Sequence, residues 1–382
     1  MVAISQLIRL LDNGYEGKCY ELGIIQRQRA IKTPADLMML CLFHLVNGCT
    51  LMEISEMGRL AKIGNFSDVA FMKKFGQCAE WFRWNSEKLL QGMVADYLKP
   101  EYLDDYRVIA FDASDVVEKG RSGQLYHLHY GIDIFTMSSV DYKITKQKTG
   151  ESLLNFNLAP GDLAVADRVY GTLTGMDYCV ECGADYILRL RANFFNLYDE
   201  GDNKIDILGE FHDLVPGESR DVYAFAHYNH KRIPIRICAL RKTKEQIEAT
   251  RERMRRKSSK KQKNMSDSAK KFNEYIVVAT SLPLAIAAQD ILETYRYRWQ
   301  VECYFKRLKT IMDFGDLPKK LESSSLSWLN GKIMVALMIE AILSQRSFSP
   351  DGIFGSSAEY LEGDQDDDVA PQDEYNTAYI SI

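Results

Sequence analysis

Two short apolar segments, each ending in an aspartate, constrain the fold of this chain more than any other feature. The first runs from Arg107 to Asp112 and the second from Asp162 to Asp167, and apolar runs of this length are typical of buried β-strands. A carboxylate at the end of such a strand needs solvent, a partner or a cation, because an unpaired charge in an apolar interior is costly. Taken singly, either aspartate could instead cap a helix or belong to a turn.

A second pattern lies nearer the C-terminus, where four reactive side chains recur at helical intervals. If residues 295 to 309 form one helix, at about 100° per residue Tyr295, Arg298, Glu302 and Lys309 share a face about 60° wide. Such a face could bind a metal ion through the carboxylate and phosphate oxygens through the cations. The ordinary alternative is a solvated helix face with an Arg/Glu pair four residues apart.

The spacing Tyr-x2-Arg-x3-Glu-x6-Lys resembles the signature of DDE transposases of bacterial insertion sequences, the cut-and-paste group. The two upstream aspartates stand in the order that this family has. The resemblance extends from about residue 35 to residue 345, and it includes Gly150-Glu-Ser-Leu and Leu188-Arg-Leu-Arg191. It implies an α/β fold: a ribonuclease H-like catalytic core, interrupted by a β-rich insertion and preceded by an N-terminal helical domain.

The resemblance assigns the chemistry to three carboxylates. Asp112 and Asp167 would end neighbouring strands at one sheet edge, and the helix that carries Glu302 would pack across that edge. All three would be catalytic and would bind two Mg²⁺ ions, for which Mn²⁺ can substitute, because carboxylate oxygens suit hard divalent cations. Two such ions, roughly 3.5 to 4 Å apart, can activate a water or a 3′ hydroxyl and stabilise the leaving oxygen.

The resemblance also implies DNA contacts around these acids. Tyr295, Arg298 and Lys309 would hold phosphates beside the scissile bond. Trp299 would stack on a flipped base, a contact worth about 1–3 kcal/mol, or would pack in the core instead. Further contacts to the DNA backbone are expected from Arg168, Arg189 and Arg191.

Two positions depart from the family's usual pattern. The family has Asp-Gly-Thr after the first strand, whereas this chain has Asp112-Ala-Ser114 and so keeps a small hydroxyl. The family has Asp-Arg-Gly-Tyr at the second acid, and here Val169 replaces the glycine. If that glycine has a positive φ, Val169 would be strained, because β-branched residues disfavour that conformation.

The pattern along the chain, together with the family resemblance, implies five segments. Residues 1–100 would form a helical DNA-binding domain, 101–191 the first part of the catalytic core, and 284–345 its second part. Residues 192–283 would form the β-rich insertion, and 346–382 an acidic, disordered tail. Strands besides the two above are expected at 124–135, 138–146, 186–191, 221–226, 233–240 and 275–280.

Helix starts are marked in the N-terminal segment. Thr50 and Glu53 have the spacing of a capping box, and a further helix is expected to begin at Ser67. Helices joined by short turns are compatible with a helix-turn-helix reader, whose ligand would be the terminal repeat of the element. A helical bundle that binds nothing has the same pattern.

The charge distribution becomes compatible with DNA binding once the tail is considered separately. The chain has a net charge of −5, but residues 351–382 hold nine acids and neither Lys nor Arg. The other 350 residues carry all 48 basic side chains and, with the nine subtracted from 53, 44 acidic ones, a net charge of +4. The basic run Arg251 to Lys263 would be either a DNA-contacting arm or a solvated helix or loop.

Cysteine usage and hydropathy indicate the compartment. Eight scattered cysteines and no signal peptide pattern favour free thiols in a reducing cytoplasm. Cys179 and Cys182 form a lone Cys-x2-Cys, and because zinc needs further ligands we interpret it as part of a helix. The longest apolar run, 333–339, is far shorter than a bilayer span, so we expect no membrane partner. The family resemblance further implies a bacterial, nucleoid-associated cytoplasmic protein.

Three functions remain open from the sequence. An active DDE transposase would bind double-stranded DNA at the element ends and at the target, as a homodimer in the DNA complex. A transposase-derived DNA-binding protein without cleavage activity would bind ends but show no metal-dependent nicking. A ribonuclease H-like nuclease with another substrate would not require terminal inverted repeats.

Overall fold

A computed structural model of the chain describes residues 4–26, 30–91, 99–118, 124–146, 148–261, 266–311, 316–317 and 321–344. The acidic tail predicted at 346–382 lies outside these residues. The described helices are α1 Ile4–Ile8, α2 Tyr15–Glu21, α3 Pro34–Val46, α4 Leu51–Leu60, α5 Asp68–Phe75, α6 Ala79–Gln91, α7 Leu173–Glu181, α8 Ile207–Glu210, α9 Lys244–Lys261, α10 Asp267–Phe272, α11 Ala288–Arg296, α12 Trp299–Ile311 and α13 Glu322–Ser344. The described strands are β1 Arg107–Glu118, β2 Gln124–Asp133, β3 Ser139–Lys146, β4 Asp162–Ala166, β5 Asp185–Arg189, β6 Ser219–Tyr228, β7 Lys231–Arg241, β8 Tyr275–Thr280 and β9 Asp316–Leu317.

The N-terminal helices begin where the sequence marks them. Thr50 Oγ1 accepts a hydrogen bond from the Glu53 amide at 3.3 Å, and Glu53 Oε2 accepts one from the Thr50 amide at 2.7 Å, which confirms the capping box of α4. Ser67 Oγ accepts from the Ala70 amide and caps α5 in the same way. These side chains satisfy amides that the first turn of a helix leaves without partners.

The C-terminal helix α13 packs against the N-terminal helices, chiefly α6 and α3. Its segment Glu322–Ile342 has the length and composition of a membrane span, and 67% of its most apolar window is buried inside the protein. A helix that is apolar on all sides is expected where other elements cover it. The backbone of α13 approaches α3 and α6 closely at Gly331, where a Cβ would lie 2.6 Å from a Leu45 methyl carbon.

The sheet places the two sequence-predicted aspartates on adjacent strands. Its strand order is β3-β2-β1-β4-β5-β8-β7-β6, and β9 also pairs with β1. The hairpins β1-β2 and β2-β3 are antiparallel, whereas β1, β4 and β5 are mutually parallel and the crossover from β4 to β5 contains α7. The predicted hairpin around Met137 is therefore confirmed, and Met137 has the positive φ of a tight turn.

The strands predicted for the insertion extend this same sheet. β8 pairs antiparallel with β5, and β7 and β6 follow outward from it. One apolar cluster spans both parts and contains Phe111 and Leu188 from the first part and Ile235 and Val277 from the second. The edge of β5 is therefore paired with β8 rather than exposed.

Two details of the predicted elements are wrong. Asp112 does not end its strand, because β1 continues to Glu118 alongside β2, although the parallel pairing with β4 stops at Phe111. The signature segment is also not one helix. α11 ends at Arg296 and α12 begins at Trp299.

The break between α11 and α12 is a tight local turn. The Arg298 amide donates to the Tyr295 carbonyl at 3.1 Å, and the Val301 amide donates to the Arg298 carbonyl at 3.2 Å. These bonds span three residues, as in a 3₁₀ turn, rather than the four of an α-helix. No Gly or Pro marks the position in the sequence, so the periodicity alone predicted an uninterrupted helix.

Candidate active site

Asp112 and Asp167 occupy equivalent positions on adjacent parallel strands. The last parallel pair of β1 and β4 is Phe111 with Ala166, and each aspartate follows directly. Neighbouring strands lie roughly 4.8 Å apart, so the two aspartates start from adjacent backbone positions. Asp112 Oδ1 accepts a hydrogen bond from the Ala113 amide at 2.8 Å, and Asp167 Oδ1 accepts one from the Val169 amide at 2.7 Å.

Asp112 lies within electrostatic range of two other acids, Asp167 and Glu302, and of Arg298. The pKa of Asp112 is raised to about 7, chiefly by burial and to a smaller extent by the charges of Asp167 and Glu302, while Arg298 and the Ala113 amide oppose the shift. A carboxyl group with this pKa is only partly ionised near neutral pH. Bound cations would favour its ionised form.

Arg298 is the counter-ion of this group. Its side chain is buried, with 7% of the residue exposed, and its Nη2 donates to Glu302 Oε1 at 2.5 Å. Burial by itself lowers the pKa of Arg298, but Tyr295, Glu302 and Asp112 raise it to a net value above the ordinary one. The guanidinium therefore stays protonated and neutralises part of the negative charge.

The helix that carries Glu302 is fixed to the strand beside Asp112. Tyr304 of α12 stacks on Tyr130 of β2 with ring centroids 4.7 Å apart, and the two phenol oxygens are 2.7 Å apart. Tyr130 stands directly opposite Asp112 in the β1-β2 ladder. The pairing of these two tyrosines, which sequence reasoning missed, holds α12 against β2 beside Asp112.

Three buried hydroxyls around the acids make no hydrogen bond within the described parts of the chain: Ser114 Oγ, Tyr170 Oη and Tyr295 Oη. Ser114 lies two residues beyond Asp112 and therefore on the same face of β1. The Tyr295 ring centroid is 5.9 Å from Arg298 Cζ. Buried hydroxyls are normally paired, so this set fits a site that receives a polar or hydrated ligand.

The donor set fits a hard divalent cation, although the acids do not form a closed cage. Carboxylate oxygens are the ligands that Mg²⁺ and Mn²⁺ prefer. Among the residues that the structure describes, no group of three or more His, Cys, Asp or Glu side chains converges in metal-binding geometry. One oxygen of Glu302 is instead held by Arg298.

The predicted DNA-contacting arginines after Asp167 lie close together. Arg191 is exposed, and its guanidinium donates to the carbonyls of Arg168 at 2.8 Å and Val169 at 3.3 Å. Arg191 thus braces the turn that follows Asp167. Arg168 and Arg189 are half-buried.

The two predicted contacts on α12 lie at opposite ends of the helix. Trp299 is its first residue and Lys309 lies in its last turn, and both are half-buried. Lys309 is seven residues beyond Glu302, or roughly 10 Å along the axis. The structure therefore brings Tyr295, Arg298 and Glu302 together with Asp112, whereas Lys309 stands farther along the helix.

The backbone at the second acid explains both the tolerated Val169 and the retained Gly171. Val169 is not among the described residues with positive φ, so its β-branched side chain is not strained there. Gly171 packs directly on β5, because a Cβ at this position would lie 2.2 Å from the Arg189 carbonyl oxygen. A side chain is excluded at 171, not at 169.

Gly171→Ala is expected to destabilise the protein by about 1–3 kcal/mol, because the added methyl group must push the turn away from β5. Equilibrium unfolding in urea measures the change in free energy. Gly17→Ala is the matched control: it lies in α2 with no heavy atom within 4 Å of the added carbon, so it should not destabilise. Equal stability of Gly171→Ala and the parent protein would contradict the packing described for this turn.

Other residues near the acids were not assigned by sequence reasoning. Burial raises the pKa of Tyr170 well above its ordinary value, and the charges of Asp112, Glu151 and Asp167 raise it further. Glu151 belongs to the Gly150-Glu-Ser-Leu motif and is half-buried. Both residues belong to stretches through which the chain resembles the family, but the resemblance assigned no role to either.

Comparison with known proteins identifies the family of this chain. The sequence profile of the family described as transposase DDE domain matches residues 103–338, a range that contains Asp112, Asp167 and Glu302. A protein of Escherichia coli strain K12, named as the transposase InsL for insertion sequence element IS186A, is 24% identical over 341 residues, which cover 87% of this chain and 91% of that protein.

Further relatives carry similar names. The transposase for insertion sequence element IS421 of Escherichia coli is 24% identical over 342 residues, with 87% of this chain and 91% of that protein covered. The transposase for IS231C of Bacillus thuringiensis subsp. berliner is 28% identical over 170 residues, with 40% and 36% covered. A solved structure of the piggyBac transposase synaptic complex with hairpin DNA aligns with a TM-score of 0.45 at 9% identity, over 91% of this chain and 73% of that chain, and supports no inference about the site. Because the DDE domain profile matches well over half of the sequence, this protein belongs to the transposase DDE domain family, in common with transposases of bacterial insertion sequences.

Proposed function

We propose that this protein is an active transposase that binds the terminal inverted repeats of its insertion sequence and catalyses metal-dependent DNA strand cleavage and transfer. The observation that carries the proposal is the position of Asp112 and Asp167 directly after the last parallel pair of β1 and β4, with the buried Arg298–Glu302 pair within electrostatic range of Asp112. The order β3-β2-β1-β4-β5, antiparallel and then parallel, supports a ribonuclease H-like core for the site.

Asp112, Asp167 and Glu302 would hold two Mg²⁺ ions, with Mn²⁺ as a substitute. When bound, such ions activate a water or a 3′ hydroxyl and stabilise the leaving oxygen in an in-line attack on phosphorus. The protein's own part is to fix the two aspartates on adjacent strands and to hold α12 against β2 through Tyr304. The positive charge of Arg298 partly neutralises the acids. Its planar guanidinium could form two hydrogen bonds to a phosphate once it releases Glu302.

Several groups around this site would contact the DNA. The half-buried Trp299 could stack on an unpaired base, and the cations Lys309, Arg168, Arg189 and Arg191 would reach backbone phosphates. The helices of residues 1–100 would read the terminal repeat, and the helix α9, whose sequence carries most of the basic run, would lie along duplex phosphates. Two protomers would act on the two ends in a nucleoid-associated complex in the bacterial cytoplasm.

The proposal is tested with the purified protein and a duplex that carries the inverted repeats flanking its gene. Mg²⁺ should produce nicks at the repeat ends, and EDTA should abolish them. A duplex with scrambled repeats is the matched control and should be cut far less. Binding of the repeats without any metal-dependent nicking would instead identify a transposase-derived DNA-binding protein.

Lys309→Ala is expected to lower the slope of log K against log salt for end DNA by about 1, because one phosphate contact is lost. Titration of labelled end DNA at several salt concentrations measures this slope. Lys231→Ala is the control, since its ammonium lies 3.0 Å from Asp177 and 2.7 Å from Glu181 and is already neutralised. An unchanged slope for Lys309→Ala would show that this lysine contacts no phosphate and would favour the alternative of a solvated helix face.

A further inference from the structure

Tyr170 combines deep burial with a hydroxyl that has no partner among the described residues. The residue is 1% exposed, and its Oη makes no hydrogen bond within that part of the chain. A buried hydroxyl without a partner costs roughly 1–3 kcal/mol relative to a paired one. A phenylalanine would fill the same space without this cost, so the hydroxyl calls for a physical explanation.

The position of Tyr170 connects it to the acids. It lies in the turn between β4 and α7, and its amide donates to the Asp167 carbonyl at 3.2 Å. Its ring belongs to the same apolar cluster as Phe111 and Ala166, the residues that immediately precede Asp112 and Asp167. Burial raises the pKa of Tyr170, and the charges of both acids raise it further.

We propose that Tyr170 is a positioning residue of the carboxylate site, whose phenol donates a hydrogen bond to a carboxylate ligand or to a water held by the bound cation. This inference rests on the proposed metal-dependent function. Hydrogen bonds of this outer shell orient metal ligands and commonly change metal affinity by about 10- to 100-fold. Tyr170 therefore contributes to binding the cation rather than to the bond exchange itself.

The same sheet supplies a matched control. Tyr186 of β5 is equally buried, and its Oη likewise makes no hydrogen bond to any described residue. The groups whose charges act on Tyr186 are Cys179, Asp185 and Tyr223, none of which belongs to the carboxylate site. Each substitution therefore removes a buried hydroxyl without a described partner, but only Tyr170 lies in the turn that follows Asp167.

The experiment measures Mn²⁺ affinity of the DNA-free protein by the loss of the free Mn²⁺ signal in electron paramagnetic resonance. Tyr170→Phe should weaken Mn²⁺ binding about tenfold, whereas Tyr186→Phe should bind as the parent protein does. In EDTA both variants should melt at or above the parent temperature, because each loses a hydroxyl without a partner. This common behaviour shows that a weaker affinity of Tyr170→Phe does not arise from misfolding.

Asp112→Asn separates failure of this inference from failure of the proposed function. If Asp112→Asn loses Mn²⁺ binding and Tyr170→Phe retains the parent affinity, the role of Tyr170 is overturned while the metal site stands. If the parent protein and Asp112→Asn bind Mn²⁺ equally, the proposed metal site is itself wrong, and the role of Tyr170 is overturned with it. Weakening by Tyr186→Phe to the same extent as by Tyr170→Phe would also overturn the inference.

Discussion

Replacing Asp112 or Asp167 by Asn, or Glu302 by Gln, is expected to lower Mg²⁺-dependent cleavage of end DNA by roughly a thousandfold or more, with little change in end binding. Loss of one metal ligand removes the arrangement that activates the nucleophile. Because the three carboxylates act as a unit, removing one of them costs nearly as much activity as removing all three. Affinity for DNA depends instead mainly on phosphate contacts, which these substitutions leave in place. Single-turnover cleavage and a parallel binding titration measure the two effects.

Asp115→Asn is the matched control for these variants. Asp115 lies on the same strand as Asp112 but three residues along, so its side chain points to the other face, where its Oδ1 is 3.2 Å from Nδ1 of His127. This variant should cut end DNA at nearly the parent rate. Nearly parental cleavage by any one of the three site variants would remove that residue from the site.

Asp112→Asn is also expected to stabilise the metal-free protein by roughly 4 kcal/mol at pH 8. The pKa of Asp112 is about 7 in the folded protein and 3.8 as its ordinary value. Between these pH values the unfolded chain releases the proton while the folded protein keeps it, so the folded state loses stability as pH rises through this window. Above about pH 7 the loss is complete, at 1.36 kcal/mol for each of about three pH units.

Urea unfolding in EDTA at several pH values measures this gain. The free energy of unfolding of Asp112→Asn should exceed that of the parent protein at pH 8, and the difference should disappear near pH 4. Asp115→Asn, at an exposed carboxylate, should show no comparable gain. A variant that is less stable than the parent at pH 8 would show that the acids are not crowded as described. The expected gain in the free energy of unfolding equals the stability that the parent protein loses by keeping a buried charged carboxylate without its cation.

The adjacency of Asp112 and Asp167 could be predicted because each follows an apolar segment of strand length, whereas their catalytic role stays a prediction. Asp112 and Asp167 had to follow apolar strands, and β1 and β4 place them on adjacent strands at the last parallel pair. The buried pairing of Arg298 with Glu302 was not predicted, because an Arg/Glu pair four residues apart is equally common on solvated faces. Tyr170 was missed because a pattern cannot show whether a buried hydroxyl finds a partner.

Helix starts were predictable because capping residues mark them locally. Strand pairing was not, because it depends on contacts between segments far apart in the sequence. Thr50 and Ser67 mark helix starts by their own hydrogen bonds, so α4 and α5 begin as expected. The strand β8 was located correctly, but its pairing with β5 depends on segments about 90 residues apart and has no local signature. The turn at Arg298 breaks the signature helix without a Gly or Pro, and only its three-residue hydrogen bonds reveal it.

Asp112, Asp167 and Glu302 are proposed to form one two-metal site for phosphoryl transfer. Anomalous diffraction from crystals of the protein bound to end DNA and soaked in Mn²⁺ would locate the metal ions. Two peaks are expected, roughly 3.5 to 4 Å apart and each within about 2.3 Å of a carboxylate oxygen, with Asp112, Asp167 and Glu302 all represented. Mn²⁺ peaks at other acids, or none beside Asp112 in crystals whose DNA is properly bound, would contradict this proposal.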